Sequence, residues 1–200
     1  MLWIIFGIVI LLIVLFLINF YRDPQRTIPN GSNIVSPADG RVISIIDTSK
    51  DKITIKKGIL GKIKTLAKDV ANECYAISIF MSPLDVHINR TPINGIIESI
   101  KHSKGTFFMA FDMEKSLQNE KNEILIRNKD FKVKVVQIAG FLARRIICTV
   151  KNNQKVNKGE KIGMISLGSQ TTLIIPKWVG LKVKLNDKVK AGQSIIAALK

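Results

Sequence analysis

The chain has 200 residues, 46% of them hydrophobic, and carries 31 Lys and Arg against 15 Asp and Glu, which gives a formal net charge of +16. This length suits one globular domain with one core. The charge is spread along the chain and favours an anionic partner, either nucleic acid or an anionic membrane surface. Aromatic residues make up 6% of the chain, fewer than a protein that stacks nucleic-acid bases on exposed rings would use. The composition therefore favours a membrane and argues against nucleic acid.

The N-terminal segment from Met1 to Phe20 contains no charged side chain. As a helix it would be roughly 30 Å long, which is enough to cross the hydrocarbon core of a bilayer. It lacks the basic start and the small-residue cleavage site of a secretory signal peptide. We predict an uncleaved transmembrane anchor, with a buried core helix as the alternative. Arg22 and Arg26 follow directly, so the positive-inside rule places the rest of the chain on the cytoplasmic side of the cell (inner) membrane.

Residues 21–33 contain two prolines and a glycine, which predicts an extended linker along the membrane surface. Residues 34–200 are predicted to form one mostly β domain, because short apolar, β-branched runs alternate with turn residues. A strand–turn–strand unit comes first, with Asp39-Gly40 as the corner of a hairpin. A short helix is considered at Phe108–Gln118. The further predicted strands are Lys52–Lys56, Cys74–Met81, Ile93–Ile100, Glu123–Ile126, Lys132–Ile138 and Arg145–Val150.

A near-repeat in the C-terminal part indicates the architecture. Each copy predicts a strand, a glycine turn and a second strand, as in the flattened β-barrels of biotinyl and lipoyl carrier domains. The predicted fold is a flattened β-barrel or barrel-sandwich-like domain with few short helices, preceded by one transmembrane helix. There is no Met-Lys-Met hairpin for attaching biotin or lipoate, which argues against a carrier. The copies place Val156, Gly159, Ile162 and Ile165 at the same spacing as Val189, Gly192, Ile195 and Ala198.

Cysteine and histidine are too sparse to indicate a metal site. Cys74 and Cys148 lie in apolar, strand-like segments and are predicted to be buried free thiols in a reducing compartment. Neither they nor His87 and His102 have the close spacing of zinc ligands. The chain also has no P-loop and no glycine-rich dinucleotide motif. We therefore predict no bound metal.

A serine, a histidine and an aspartate remain as candidates for chemistry. His87 follows an apolar strand in a polar cluster with Asp85 and Arg90, whose charges could tune an imidazole near neutral pH. His102 lies between lysines and is predicted to be solvated. Ser169 follows Gly168 at a turn before an apolar run that predicts a strand. Asp39, His87 and Ser169 could form a triad, since triads are recognised by roles and not by chain order; an inert turn at Gly168-Ser169 is the alternative.

Five motifs occur in an order and spacing that resemble the phosphatidylserine decarboxylase proenzymes, most closely the short form of some bacteria and archaea. The resemblance covers nearly the whole chain. In chain order, the motifs are Tyr21-Arg22-Asp23-Pro24, Ser36-Pro37-Ala38-Asp39-Gly40, Met81-Ser82-Pro83-Leu84-Asp85-Val86-His87, Ala139-Gly140-Phe141-Leu142-Ala143-Arg144-Arg145 and Leu167-Gly168-Ser169.

The resemblance implies that the chain cuts itself between Gly168 and Ser169. The Ser169 hydroxyl would attack the Gly168 carbonyl, and elimination from the ester would leave dehydroalanine, which hydrolyses to a pyruvoyl group and ammonia. The products would be a large chain, 1–168, and a small pyruvoyl chain, 169–200. The pyruvoyl group would form a Schiff base with the head-group amine of phosphatidylserine, or of its ether-lipid equivalent, and release of carbon dioxide would give the ethanolamine lipid.

The resemblance also assigns roles and partners. His87 would act as base on Ser169 during maturation and as proton donor in turnover, with Asp39 orienting or charging it. Longer members carry a second histidine where this chain has Arg90. The partners would be a serine phospholipid in an anionic membrane and the two chains of one proenzyme; a homo-oligomer is compatible with these motifs.

Two readings from other classes stay open. One is a non-catalytic, membrane-tethered β-barrel that binds anionic lipid or carries a ligand, with Gly168-Ser169 as an inert turn. The other is a membrane-associated nucleic-acid binder, which rests on charge alone. Self-cleavage separates the enzyme from both, because a binding module has no reason to cut itself.

Overall fold

The computed structural model of the chain describes residues 2–49, 57–106, 116–140, 145–166 and 168–199. The strand predicted at Lys52–Lys56 and most of the helix considered at Phe108–Gln118 lie outside these residues. The elements within them are α1 (Leu2–Phe20), β1 (Asn33–Val35), β2 (Gly40–Asp47), α2 (Lys57–Ala67), β3 (Cys74–Met81), β4 (Ile88–Arg90), β5 (Gly95–Ser103), β6 (Lys121–Arg127), β7 (Lys132–Ile138), β8 (Ile146–Cys148), β9 (Lys155–Val156), β10 (Lys161–Ile165), β11 (Ser169–Pro176), β12 (Gly180–Leu181), β13 (Lys188–Val189) and β14 (Ile195–Ala198).

Helix α1 is long and apolar enough to cross a membrane, with a mean hydropathy of 3.1 over its most apolar stretch. Its side chains are almost all exposed except at the C-terminal end, where Phe20 is buried. Phe20 packs in a small apolar cluster with Val86, Ile88 and Met164. The helix therefore joins the domain through its last turn.

The linker that follows α1 carries no helix or strand as far as Ser32. Its extended form was predicted, but it does not merely follow a membrane surface. Arg22 donates to the carbonyl oxygen of Leu84 at 2.8 Å, and Asp23 forms an ion pair with Arg90. These contacts fasten the linker to the domain; the division into anchor, linker and domain itself stays a prediction.

The domain is mostly β, as predicted, with one curled eight-stranded sheet and two three-stranded sheets. The eight strands lie in the order β13-β2-β3-β11-β7-β6-β5-β9, and the small sheets in the orders β1-β14-β12 and β4-β10-β8. All pairs within the sheets are antiparallel. Strand β11 lies between β3 and β7, and every one of its residues is buried. It is the central strand of the main core.

The eight-stranded sheet consists of two halves whose strand orders mirror each other about the β11–β7 pair, which gives the topology an approximate two-fold symmetry. The first half is β13-β2-β3-β11 and the second is β9-β5-β6-β7. Strands β2 and β5 carry a bulge at equivalent places, between Val42 and Ser44 and between Ile97 and Ser99. The amides of Val42 and Ile97 each donate at 2.9 Å to a carbonyl oxygen in an equivalent loop. The same unit thus occurs twice, in one chain.

The near-repeat predicted from the sequence is confirmed and belongs to this symmetry. It forms the strand–turn–strand units β9–β10 and β13–β14. Gly159 and Gly192 lie at equivalent turns in the left-handed region, with φ of 81° and 75°, which glycine adopts at little cost. The linker side chain of Ile28 packs against both glycines: a Cβ at Gly159 would lie 2.2 Å from its Cδ1 atom, and one at Gly192 3.0 Å.

One local prediction was wrong, and one helix was not predicted. Asp39-Gly40 does not close a hairpin, because β1 pairs with β14 whereas β2 pairs with β3 and β13. Gly40, at φ 144°, instead lets β2 pass close to β3, since a Cβ there would lie 2.1 Å from the carbonyl oxygen of Phe80. Helix α2 was not predicted, although its buried residues Leu60, Ile63 and Leu66 have helical spacing.

Candidate active site

Ser169 is the first residue of β11 and is fully buried. It pairs with Met81 at the end of β3, and its hydroxyl donates to the Met81 sulfur at 3.6 Å. A thioether is a weak acceptor. The hydroxyl is therefore positioned without a strong competing hydrogen bond, which leaves its proton available to a base.

Gly168, the residue before Ser169, lies in the left-handed region with φ of 67°. Among the described residues, apart from its chain neighbours, no atom would lie within 4 Å of a Cβ built on this glycine. The backbone here is thus uncrowded, and it adopts a conformation that costs glycine little but costs residues with a side chain roughly 1 kcal/mol or more. The peptide bond before Ser169 consequently has space in which to rearrange.

His87 is fully buried, and its Nδ1 lies 2.9 Å from the backbone carbonyl oxygen of Asp85. Because a carbonyl oxygen only accepts, Nδ1 carries the proton and Nε2 has the lone pair in the neutral ring. Nε2 is buried and has no hydrogen-bond partner among the described residues. Burial lowers the pKa of His87 below its usual value, against the opposing effects of the Asp85 backbone bond and carboxylate. The imidazole is neutral at pH 7 and has the free nitrogen of a general base.

His87 lies between the end of α1 and the segment that leads to Ser169. The ring centroids of His87 and Phe20 are 4.3 Å apart. The His87 carbonyl oxygen accepts from the amide of Ile165, at the end of β10 and three residues before Gly168. His87 also closes the loop that leaves β3 after Met81, the strand partner of Ser169. The structure therefore brings His87 and Ser169 to the same end of the sheet.

Asp39 is buried beside the site but is engaged elsewhere. Its carboxylate accepts hydrogen bonds from one nitrogen of Arg26 at 3.0 and 2.9 Å and from the amide of Ala191 at 2.8 Å. The hydrogen bond to His87 that an orienting acid would make is not formed between these two described residues. Asp39 favours protonation of His87 only through space, more weakly than Asp85 does. Arg26 neutralises the carboxylate instead, because the two side chains are buried together.

Arg90, which stands where longer relatives were expected to carry a second histidine, has a structural contact. It donates to the carbonyl oxygen of Gly159 at 2.9 Å and pairs with the carboxylate of Asp23. Arg90 therefore ties the linker to the turn before β10.

A chain of buried amides under Ser169 was missed. Asn122 donates to Gln137 at 2.9 Å, Gln137 to Asn89 at 2.9 Å, and Asn89 to the Thr171 hydroxyl at 3.1 Å. Thr171 in turn lies 3.5 Å from the Met81 sulfur. Each side chain hydrogen-bonds to the next, so burying these polar groups does not leave them without hydrogen-bond partners. In the sequence Gln137 lies between two apolar residues, whereas Asn122 and Thr171 lie among polar ones, so no shared pattern marks them as buried.

Part of the expected site lies outside the described residues, namely positions 141–144 of the Ala-Gly-Phe-Leu-Ala-Arg-Arg motif. In the part of the chain that is described, no group of three or more His, Cys, Asp or Glu could hold a metal ion. His102, predicted to be solvated, is exposed and pairs with Glu120 at 2.8 Å. Among the described residues, the candidate catalytic groups are therefore Ser169, His87 and their neighbours.

The sequence profile of the phosphatidylserine decarboxylase family matches residues 13–197. The chain belongs to this family. It is 46% identical over 193 residues to a Methanocaldococcus jannaschii protein with the provisional name archaetidylserine decarboxylase proenzyme, an alignment that covers 96% of this chain and 94% of the relative. It is 42% identical to the phosphatidylserine decarboxylase proenzyme of Prosthecochloris aestuarii, over 94% of this chain and 80% of the relative. The corresponding protein of Chlorobium limicola is 39% identical over 92% and 80%. The family resemblance inferred from the five motifs is confirmed.

Proposed function

We propose that the protein converts phosphatidylserine, or a related serine phospholipid, to the ethanolamine lipid, using a pyruvoyl group that it makes from Ser169. The observation that carries this proposal is the buried Ser169 hydroxyl next to the uncrowded, left-handed Gly168, in a chain that belongs to the phosphatidylserine decarboxylase family. The names of the relatives both denote lipids with a serine head group and support this substrate class.

Self-cleavage needs a nucleophile, a base and space, and our candidates for these are Ser169, His87 and the backbone at Gly168. With its proton taken by Nε2 of His87, the Ser169 oxygen attacks the Gly168 carbonyl carbon; the C–N bond breaks, and the nitrogen takes a proton to become an amine. A base then removes the Ser169 Cα proton, the Cβ–O bond breaks, and Gly168 leaves as a carboxylate. The resulting enamine tautomerises to an imine, and one water converts it to a ketone and ammonia. The sum is one water consumed and one ammonia released.

The site residues fit a pyruvoyl group at position 169. The group derives from the serine itself, so it needs no binding pocket beyond the buried start of β11 and the thioether of Met81. When present, it supplies a ketone that condenses with a primary amine and withdraws electrons from the carbon that loses carbon dioxide. His87, as the imidazolium, would return a proton to that carbon, and the surrounding apolar side chains would exclude water.

Helix α1 supports action on a membrane lipid. It is apolar enough to span a bilayer, and its last ring packs on His87. A helix that ends at the membrane interface therefore holds the site at the same interface. With Arg22 and Arg26 following the helix, the positive-inside rule puts the site on the cytoplasmic side.

The test is the intact mass of the full chain purified in detergent, together with release of carbon dioxide from phosphatidylserine in mixed micelles. We expect two fragments, 1–168 and 169–200, and a small chain lighter than a serine-initiated peptide by one ammonia. The Ser169→Ala variant should remain a single chain of 22.3 kDa and release no carbon dioxide.

A fully active Ser169→Ala protein would refute the mechanism. A wild-type chain that stays intact and folded but binds anionic lipid would support the non-catalytic β-barrel module instead.

A further inference from the structure

A cleft of about 410 Å³ opens beside the site, in the first half of the sheet. Its walls are polar and charged. On one side are Arg41 of β2 and Lys188 and Lys190 at β13, and on the other are Ser82 and Asp85 from the loop that ends at His87. Asp39 also faces the cleft, but Arg26 neutralises its charge. The remaining lining residues are Gly40, Phe80 and Val189.

The cationic side chains of this cleft have few partners of their own. Arg41 donates through one nitrogen to the carbonyl oxygen of Asn186 at 3.0 Å. Within the described part of the chain, the ammonium groups of Lys188 and Lys190 bond to no acceptor. All three residues are exposed. The wall therefore presents three positive charges to whatever enters the cleft.

The two-fold symmetry provides an internal comparison. The second half has a cleft of about 430 Å³ at the equivalent place. There, by strand register, Ile96 takes the position of Arg41, and Lys155 that of Lys188. Asn157 takes the position of Lys190, by its place after β9. Arg127 and Lys129 also line the second cleft, so each cleft has three cationic residues. The first differs in that the carboxylates of Asp39 and Asp85 lie among its cations.

The cleft lies within reach of Ser169. Ser169 pairs with Met81 in β3, and β2 is the next strand, so β2 lies about 10 Å from Ser169 at the usual strand spacing. In a serine phospholipid joined at position 169 through its amine, five bonds of about 1.5 Å would separate the joined carbon from phosphorus, a span of roughly 6 Å when extended. Arg41 pairs with Phe80 and not with Met81, so its side chain lies on the opposite face of the sheet from Ser169. The head group would therefore reach the cleft around the end of β3.

The cleft also lies near the C-terminal end of helix α1, where a lipid head group would be. Arg22, just after α1, donates to the carbonyl oxygen of Leu84 at 2.8 Å. Leu84 is 69% exposed and lies in the same loop as Ser82 and Asp85. The loop that forms one wall of the cleft therefore touches the end of the proposed membrane anchor.

We propose that this cleft binds the phosphodiester of the lipid head group, with Arg41, Lys188 and Lys190 holding the phosphate and Asp85 facing the head-group ammonium before that amine joins position 169. The inference rests on the proposed function, since it names the head-group subsite of that reaction. A phosphodiester carries one negative charge and accepts several hydrogen bonds, which suits cationic donors converging from two strands.

The first experiment measures binding without turnover. The full-length Ser169→Ala protein in neutral detergent is titrated calorimetrically with glycerophosphoserine, the soluble head group. We expect Lys188→Gln with Lys190→Gln to weaken binding on the order of tenfold, because two charge-assisted contacts are lost. The matched control removes two exposed lysines from the symmetric cleft, Lys129→Gln with Lys155→Gln, and should change the affinity less than twofold. Equal losses in both pairs would overturn the proposal, since they would reflect net charge alone.

Inorganic phosphate separates a head-group site from a free-phosphate site. We expect it to compete poorly with glycerophosphoserine, because it has no ammonium to meet Asp85. Phosphate that binds as tightly as glycerophosphoserine would overturn the assignment to a lipid.

The second experiment uses the cleaved protein. Lys188→Gln with Lys190→Gln should leave self-cleavage unchanged and raise KM for phosphatidylserine in mixed micelles on the order of tenfold, with kcat altered less than twofold. An unchanged KM in an active, cleaved variant would contradict the proposed head-group subsite but not the proposed function. A wild-type chain that neither cleaves nor decarboxylates would contradict the proposed function, and the binding experiment would still decide what the cleft holds.

Discussion

The two halves of the eight-stranded sheet share strand order, bulges and glycine turns, yet they end differently. In the second half β6 and β7 are joined by a tight turn in which Asn128 Oδ1 accepts from the amides of Asp130 and Phe131 at 2.9 and 2.8 Å. In the first half the equivalent ends of β3 and β11 are not joined to each other. Ser169 occupies there the place that Phe131 occupies in the turn. The proposed cleavage site thus lies where the symmetric copy has a closed loop.

The acidic residue of the first half also differs from its counterpart. Asp39 Oδ1 accepts from the amide of Ala191 at 2.8 Å, and Asn94 Oδ1 accepts from the amide of Lys158 at 2.7 Å. The same loop is therefore held equally well by an amide and by a carboxylate. The backbone does not require the negative charge of Asp39, which pairs with Arg26.

The largest expected effect concerns His87, the buried imidazole of the first half. His87→Gln should slow self-cleavage about a thousandfold, since a positioned base contributes on that order. In the wild type, the lowered pKa of His87 keeps the ring neutral as the pH falls to about 6.5, the ordinary histidine value. The cleavage rate, followed by gel electrophoresis of freshly refolded proenzyme, should stay level from pH 8 to 6.5 and fall only at lower pH.

The control is His102→Gln, at the exposed histidine of β5 in the second half, which should leave the profile unchanged. A midpoint at or above pH 6.5 in the wild type would contradict the assignment. The lowered pKa of His87 also makes the free energy of unfolding depend on pH. Because the unfolded chain binds a proton near pH 6.5 and the folded chain does not, unfolding becomes easier as the pH falls below that value, and His87→Gln should lack this loss.

Equivalent glycines test whether the halves tolerate change equally. Gly40→Ala should lower the free energy of unfolding by about 4 kcal/mol, because it adds both an unfavourable positive φ and a Cβ 2.1 Å from a carbonyl oxygen. Gly95→Ala should cost about 2 kcal/mol, because its Cβ would lie 2.5 Å from the Arg127 carbonyl oxygen at an ordinary φ. Thermal unfolding of the uncut Ser169→Ala background measures both.

Gly61→Ala on α2 serves as the control, since no atom of the described residues lies within 4 Å of its Cβ position. Alanine is the better helix former, so this change should stabilise the protein by about 0.5 to 1 kcal/mol. Equal costs at Gly40 and Gly95 would show that the positive φ of Gly40 carries no energetic weight.

Exchanging the two loop residues tests the role of charge. Asp39→Asn should destabilise the protein by about 3 kcal/mol, because it leaves the buried guanidinium of Arg26 without its counter-charge. Asn94→Asp, at an exposed position, should change the free energy of unfolding by less than about 0.5 kcal/mol. Denaturant titration in detergent compares them; a cost at Asp39 no larger than at Asn94 would mean that Arg26 finds another partner.

The smallest effect is chemical and leaves the fold intact. Burial raises the pKa of the Cys74 thiol in β3 to about 11, so its thiolate is scarce at pH 8. Cys148 in β8 is only half-buried. We expect iodoacetamide to modify Cys148 in the folded protein and to spare Cys74 until the chain unfolds, as peptide mass mapping would show. Prior modification of Cys74 would indicate that β3 opens.

Much of the fold follows from patterns that are local in sequence. The length and apolarity of α1 and the alternating runs of β3, β6 and β7 indicate their elements directly, and the glycine spacing around Gly159 and Gly192 revealed the repeat. The family motifs also pointed to Ser169 and His87, whose roles stay predictions. Each of these signals lies within a few residues of the feature that it predicts.

The contacts that define the site are long-range, and one sequence carries no direct record of them. Arg26 meets Asp39, Phe20 meets His87, and Asn89 meets Thr171 across 82 positions. The absent hairpin at Asp39-Gly40 has the same origin, because β1 takes its partner from the far C-terminus. Strand register and packing decide which polar groups are buried together. From the sequence, Arg26 was predicted only to be a basic residue near the membrane, and its ion pair with Asp39 could not be predicted.

The position of β11 makes folding a checkpoint for maturation. Residues 169–200 contribute β11 to the middle of the large sheet and β14 to the middle of one small sheet. A separate large chain would lack the partners of β3, β7 and β1, so we expect the small chain to be in place before cleavage. Ser169 meets its neighbours only after β3 and β7 have closed around β11. If the proposed cleavage occurs, an unfolded or mispaired chain would stay uncut and inert, and each folded chain would yield one reactive group held in the middle of the sheet.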